Sequence, residues 1–432
     1  LPRIGGIINH RAVKNSQAWL VVLIAATFFF YEFIQMNMFN SIATSLMHAF
    51  DIDAEKLGTL SSFYFAANVI FLFLAGGLLD RCATRTVILA ALSICILGTA
   101  LLSVAHSFAW ACVFRFLTGI GSAFCFLSVI RLASRWFPPN RMAMVTGVVV
   151  TIAMLGGYFS QWPMTLLAEA VHWRTALQYD AGVGVVFFLL ILLFVQDYPE
   201  QHKAVHASEQ KDIHAIGYFA SARMAFLRLQ NWLVGFCVCF LNLPVGLLGG
   251  LWGDLYLTYT HDVSRIAASN ISSALFIGAI VGAPVAGFIS DKIQLRRPPI
   301  FFGALVSLIL ISIVIFFTHL SVSALFILFF LTGLFTSVQI IAYPLVAENS
   351  KRIVTAMSVS VVNISVQGGS GIFQKFFGYL LDKHMFMRVH YISDNLSASD
   401  FRWAMWIFPI GFLLVMLLAK WLPETRGRQR VG

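Results

Sequence analysis

Apolar runs long enough to cross a bilayer as helices, about 20 residues each, recur along the chain between short polar breaks. They fall at about 17–46, 57–79, 86–106, 108–134, 142–168, 175–196, 232–258, 267–290, 299–318, 322–347, 353–381 and 401–422. Twelve membrane-spanning helices are predicted, with no strand pattern between them. Pro163, Pro244, Pro284 and Pro344 lie inside these runs; neighbouring helices can re-satisfy the backbone groups that proline frees. The one long polar interval near the middle is 197–231. It predicts two six-helix bundles, 1–196 and 232–432, joined by a loop.

Composition agrees with a polytopic membrane protein. Hydrophobic residues make up 59% of the 432 and charged residues 11%, against about 25% charged in soluble domains. The formal net charge of +10 would suggest nucleic acid in a soluble protein, but here it reads as loop bias. With the N-terminus inside, 20 of the 29 Lys and Arg fall in cytoplasmic segments, 6 outside and 3 within spans. The positive-inside rule then sets both termini and the 197–231 loop in the cytoplasm, as expected of a bacterial inner-membrane protein. The basic N-terminal segment reads as a cytoplasmic lead-in, since no small-residue cleavage site follows it. The six cysteines lie almost entirely in apolar runs and read as packing residues. The eleven histidines show no metal-ligand spacing.

The two halves repeat. Gly76, Asp80 and Arg81 after the second span return as Gly287, Asp291 and Lys292 after the eighth, an offset of 211. Phe116-Leu117-Thr118-Gly119 returns as Phe330-Leu331-Thr332-Gly333, and Arg141 with Gly156-Gly157 as Arg352 with Gly368-Gly369. Duplicated bundles of this kind hold their substrate near the midplane, between the halves.

Two motifs carry a family resemblance. Gly76-Gly77-Leu78-Leu79-Asp80-Arg81-Cys82-Ala83-Thr84-Arg85 resembles the major facilitator superfamily signature G-x-L-x-D-R-x-G-R-[RK]; Ala83 and Thr84-Arg85 depart from it. Arg115, Gly119 and Gly121 are similar to the same family's fourth-span R-x-x-x-G-x-G. The resemblance implies a twelve-helix fold in two pseudo-symmetric bundles, transport by alternating access and no enzymatic activity. It also implies a cytoplasmic gate, so Asp80, Arg81, Arg85, Asp291 and Lys292 are gating candidates. The drug exporters' Gly-Pro-x-x-Gly fifth span is absent; Leu155-Gly156-Gly157-Tyr158 carries no proline. That favours metabolite uptake.

Glu32 is the most informative side chain. A charge at membrane depth costs several kcal/mol, so an acid there is normally functional. Thirteen residues beyond Trp19, it stands about 20 Å up its helix; Arg115, seven beyond Phe108, lies about 10 Å down an opposing one. In a core about 30 Å thick the two depths coincide. Burial disfavours a charged carboxylate and a nearby cation favours it, so Glu32 and Arg115 are the candidate proton-coupling pair. In the resembled fold the first, fourth, seventh and tenth spans line the cavity. Tyr31, Gln35, Asn242, Trp252, Gln339 and Tyr343 there, with Asn363 and Gln367 of the eleventh, are the candidate substrate contacts. Asp254 reads as a residue of the outer gate or interface. No P-loop or nucleotide fingerprint appears, so no cofactor is expected beyond a proton gradient. The expected partners are a small-molecule substrate, protons and the bilayer, without nucleic acid, for a monomer. The expected activity is proton-coupled movement of a small polar metabolite, an amino acid or organic acid. The alternatives are a drug or siderophore exporter and, less in keeping with the pattern, a membrane enzyme or receptor.

The charge bias predicts that Ser208→Cys resists an impermeant thiol reagent in intact cells while Ser397→Cys reacts. The reverse pattern would overturn this topology.

Overall fold

The computed structural model describes residues 15–138, 141–198, 223–317, 319–350, 355–389 and 396–426. Most of the interval expected to be the loop, 199–222, lies outside them. The described chain forms twelve helical rods. The first joins Asn15–Asn37 to Phe39–Phe50, and Ala54–Arg81 and Thr84–Ser103 are the second and third. Phe108–Ser122 with Cys125–Trp136 is the fourth, Met142–Phe159 with Trp162–Val171 the fifth, and Trp173–Phe194 the sixth. The seventh runs from Leu229–Leu243 through a π-helical stretch, Pro244–Trp252, into Gly253–His261. Arg265–Ile293 and Arg297–Phe316 are the eighth and ninth. The tenth is Val322–Thr336, a tight 3-10 turn Ser337–Ile341 and Ala342–Glu348; the eleventh is Thr355–Val389. Ala398–Ala404 with Ile407–Ala419 is the twelfth. Ten of the rods are long and apolar enough to cross a membrane. This is an all-α, multi-pass membrane protein.

The repeat extends to turns and caps. Asp51 and Asp262, 211 apart, end the first and seventh rods in the left-handed conformation, at φ 50° and 52°. Two residues later Asp53 and Ser264 cap the second and eighth rods, accepting from the backbone N–H of Lys56 and Ala267. Ser107 and Ser321 do the same for the fourth and tenth. An acid closes each set of six: Asp197 accepts from the Arg85 N–H at 3.1 Å, and Glu424 from those of Arg296 and Arg297 at 2.8 and 3.0 Å. Each acid sits at the N-terminal end of a helix, where the macrodipole favours negative charge.

The first, fourth, seventh and tenth rods are all interrupted partway along. The breaks also repeat: Met38 matches the π-helical stretch, and Ala123–Phe124 the 3-10 turn. A break frees backbone carbonyls, and lipid offers them no donor. Side chains from other rods supply it. Arg115 donates to the carbonyls of Gln35 and Met36 at 2.7 and 3.4 Å, Gln161 to that of Gly249 at 2.8 Å, and Gln374 to that of Gly246 at 2.6 Å.

The first six rods pack on one another, as do the last six, and the two sets meet along a seam. The seam is tied at the end that carries Asp51 and Asp262. There Arg265 pairs with Glu169 at 2.9 Å and donates to the Ser41 carbonyl at 2.6 Å. The Asp382 carboxylate caps the second rod across the seam, accepting from the Ala54 and Glu55 N–H groups at 3.3 and 2.6 Å. Missing side chains let the backbones meet. A Cβ at Gly378 would lie 2.3 Å from the Ala54 carbonyl oxygen, and one at Gly157 would lie 2.3 Å from the Phe276 ring.

Gly378→Ala therefore wedges this end apart. Spin labels at Ala49→Cys and Lys383→Cys, in a background without native cysteines, should report a longer distance in that variant. Gly287→Ala is the control, because a Cβ there meets nothing within 4 Å. An unchanged distance in Gly378→Ala would refute the close-packed seam.

Candidate functional site

The site is built where the second and fourth rods cross. Gly119 faces the Tyr64 backbone, and a Cβ on it would lie 2.2 Å from the Tyr64 carbonyl oxygen. Its repeat partner Gly333 makes the same approach to Leu275. This closeness brings Tyr64 between the first and fourth rods. The buried Tyr64 hydroxyl donates to Glu32 Oε1, and Glu32 Oε2 has no hydrogen-bond partner among the described residues. Arg115 is fully buried, its Cζ lying 4.0 Å from the centroid of Phe39 and 4.5 Å from that of Tyr64. The guanidinium is thus held by two aromatic faces and by carbonyls at the C-terminal, negative end of Asn15–Asn37.

Glu32 and Arg115, the expected proton-coupling pair, meet through Tyr64. They share a depth and a neighbour, Tyr64, but no ion pair joins them; the carbonyls freed at Met38 take the guanidinium instead. Three candidate substrate contacts, Tyr31, Gln35 and Trp252, are buried among the rods. Tyr31 is fully buried, packed against Gly184 and edge-on to Phe187. Gln35 points into its own bundle, donating to Asp180 and accepting from Thr99 at 2.7 Å. Trp252 is fully buried, stacked on Phe377 with Nε1 donating to the Gln374 carbonyl at 3.1 Å, both on the eleventh rod. The other five gather on the seventh, tenth and eleventh rods. Gln339 donates to Asn242 at 3.3 Å and Tyr343 to Asn363 at 2.9 Å, with Gln367 one turn from Asn363, all half-buried.

Of the gating candidates, the side chains of Asp80 and Arg81 lie outside the described part. Arg85 donates to the Leu192 carbonyl, and Arg135 bonds Asp197 at 3.0 Å. Asp291 accepts from Arg296 at 2.7 Å, and Arg296 also pairs with Glu348 at 2.7 Å. These contacts stay within one set of six rods. Lys292 is exposed.

Sequence reasoning passed over Asp180 and Gln161. Asp180 is a buried acid in the apolar sixth span, the same signal that singled out Glu32. Gln161 sits at the break of the fifth rod and bridges Asn40 and Gly249; nothing in the local pattern marks it.

Comparison with known proteins follows the architecture. A model of the Major Facilitator Superfamily matches residues 23–248 and, again, 234–431. The chain belongs to this superfamily. A hexuronate transporter of Bacillus subtilis is 22% identical over 61% of this chain and 62% of its own length. A probable sulfoacetate transporter of Cupriavidus necator is 24% identical over 64% of this chain and 66% of its own. The match thus spans less than two thirds of either relative. Among solved structures, a bacterial homologue of the human lysosomal transporter Spinster, in an inward-facing and occupied conformation, superposes with a TM-score of 0.74. It is 17% identical, over 93% of this chain and 96% of that one. The two matched stretches of this superfamily member repeat its duplication.

Tyr64→Phe leaves the Glu32 carboxyl buried without its donor and should lower unfolding stability by about 1–3 kcal/mol. In a Glu32→Leu background the same change should be nearly neutral. Equal losses in both backgrounds, by thermal unfolding in detergent, would mean that the two side chains do not interact.

Proposed function

We propose that this superfamily member is a secondary transporter that carries a small organic acid together with a proton. The observation that supports this most is the unit Glu32–Tyr64–Arg115: an acid, a hydroxyl and a permanent cation buried beside a broken helix. Broken helices are where transporters of this kind bind ions and substrates. Hexuronate and sulfoacetate, named for two relatives, are both small organic anions.

Arg115 stays charged at physiological pH, and its Nε has no hydrogen-bond partner among the described residues. That free donor suits a substrate carboxylate or sulfonate. Asn242, Gln339, Tyr343, Asn363 and Gln367 then serve the rest of a polar solute. A carboxyl on Glu32 can be neutral or ionised, and the nearby guanidinium and an arriving anion bias it in opposite directions. Substrate and proton thereby influence each other's binding through Arg115 and Tyr64, a reciprocal coupling. The two sets of rods, 1–196 and 232–432, move as units about the seam, with 197–231 linking them. By the charge bias, the tied end faces outside and the conformer is closed to the exterior. Asp80, Arg81, Arg85, Asp291 and Lys292 act at the opposite, cytoplasmic end.

Reconstituted protein should accumulate glucuronate or sulfoacetate when only an inward proton gradient is imposed. Glu32→Gln should abolish that accumulation and keep substrate exchange. If Glu32→Gln still concentrates substrate on a proton gradient alone, the coupling role is wrong.

A further inference from the structure

Where the two sets of rods close on each other, a second acid is buried. Asp254 opens the last helical segment of the seventh rod and is 4% exposed. Its Oδ1 accepts from Asn40 Nδ2 at 2.8 Å, across the seam, and from Ser272 Oγ at 2.7 Å. Its backbone N–H donates back to Asn40 Oδ1 at 3.0 Å. Asn40 is also held by Gln161 Oε1 at 2.7 Å. Oδ2 is buried and has no hydrogen-bond partner among the described residues.

The charged side chain acting on Asp254 is Arg265 of the eighth rod, and it is bound elsewhere, to Glu169 and the Ser41 carbonyl. Among the described residues no cation forms an ion pair with Asp254. The other titratable groups on the elements packed around it are His48, Tyr256, Tyr259, His261, Asp400 and Arg402, with Asp291 and Lys292 at the far end of the eighth rod. Tyr256 donates to the Val314 carbonyl at 2.9 Å, and Asp400 bonds His384 at 2.6 Å.

We propose that Asp254 is a proton-binding site that must be occupied for the seam to close. A carboxylate sealed away from water with one oxygen unpartnered is strongly disfavoured, and a neutral carboxyl there costs far less. When the seam opens, Asn40 leaves with the first rod and water replaces it on the acid, which then ionises. The closed state therefore holds one proton more than the open state at this position. The sign follows: lowering the pH favours closure, and raising it favours opening, by up to tenfold in the closed-to-open ratio per pH unit for one proton. On the proposed topology, the seam shuts only after a proton has been taken from outside. This role is separate from that of Glu32, which lies on the other side of the break at Met38.

The test reads the Ala49→Cys and Lys383→Cys label distances in detergent between pH 5 and 8, without substrate or gradient. The outcome is thus independent of whether Glu32 couples transport. In otherwise wild-type protein the closed population should fall as pH rises. In Asp254→Asn, or in Asp254→Ser should the first variant not fold, it should stay high and lose its pH dependence. A flat profile in the unmutated protein overturns the proposal. So does a slope that survives in Asp254→Asn and vanishes in Asp382→Asn, which would move the proton to the acid that caps the second rod across the same seam.

Discussion

A helix broken inside a bilayer exposes carbonyls that water cannot reach, and the structure depends on how those carbonyls are answered. Arg115 answers the break at Met38, Gln374 and Gln161 the π-helical stretch of the seventh rod. Each donor comes from a different rod, so each break doubles as a joint. Gln161 crosses from the first set of rods to the second, so parting the two sets would break its bond. Backbone satisfaction in lipid is thereby tied to conformation.

The same constraint explains why Arg115 does not pair with Glu32. A buried ion pair gains Coulomb energy but must overcome the desolvation of two charges. Carbonyl oxygens at a helix terminus and two aromatic faces hold the guanidinium without requiring a second charge. Glu32 is left with a hydroxyl donor and one open oxygen, so no bound cation locks it in the ionised form. A static ion pair would give no such freedom. In the proposed coupling, the tyrosine between the two lets each respond to the other's state without a fixed bond.

The architecture was largely legible in the sequence. Apolar runs of spanning length predict the rods, and the offsets of 211 and 214 anticipate the paired caps and breaks. Glu32 and Arg115 stood out because charge is rare in lipid. What was not legible depends on helix rotation and on partners far away in the chain. Gln35 shares a face with Glu32 in a regular helix, yet its amide meets Asp180 of the sixth rod. Trp252 ends the π-helical stretch, and its indole stacks on Phe377 of the eleventh rod. Asp180 was readable by the rule that found Glu32 and was passed over. Gln161 was not, because its role exists only once three rods meet.

The most direct test of the account is to follow proton and substrate together. Proteoliposomes loaded with a pH-sensitive dye are given an inward glucuronate gradient, or a sulfoacetate gradient, with no proton gradient imposed. The account predicts that the lumen acidifies as substrate enters and that a protonophore collapses the pH change while entry continues. Substrate entry with no proton movement would contradict it.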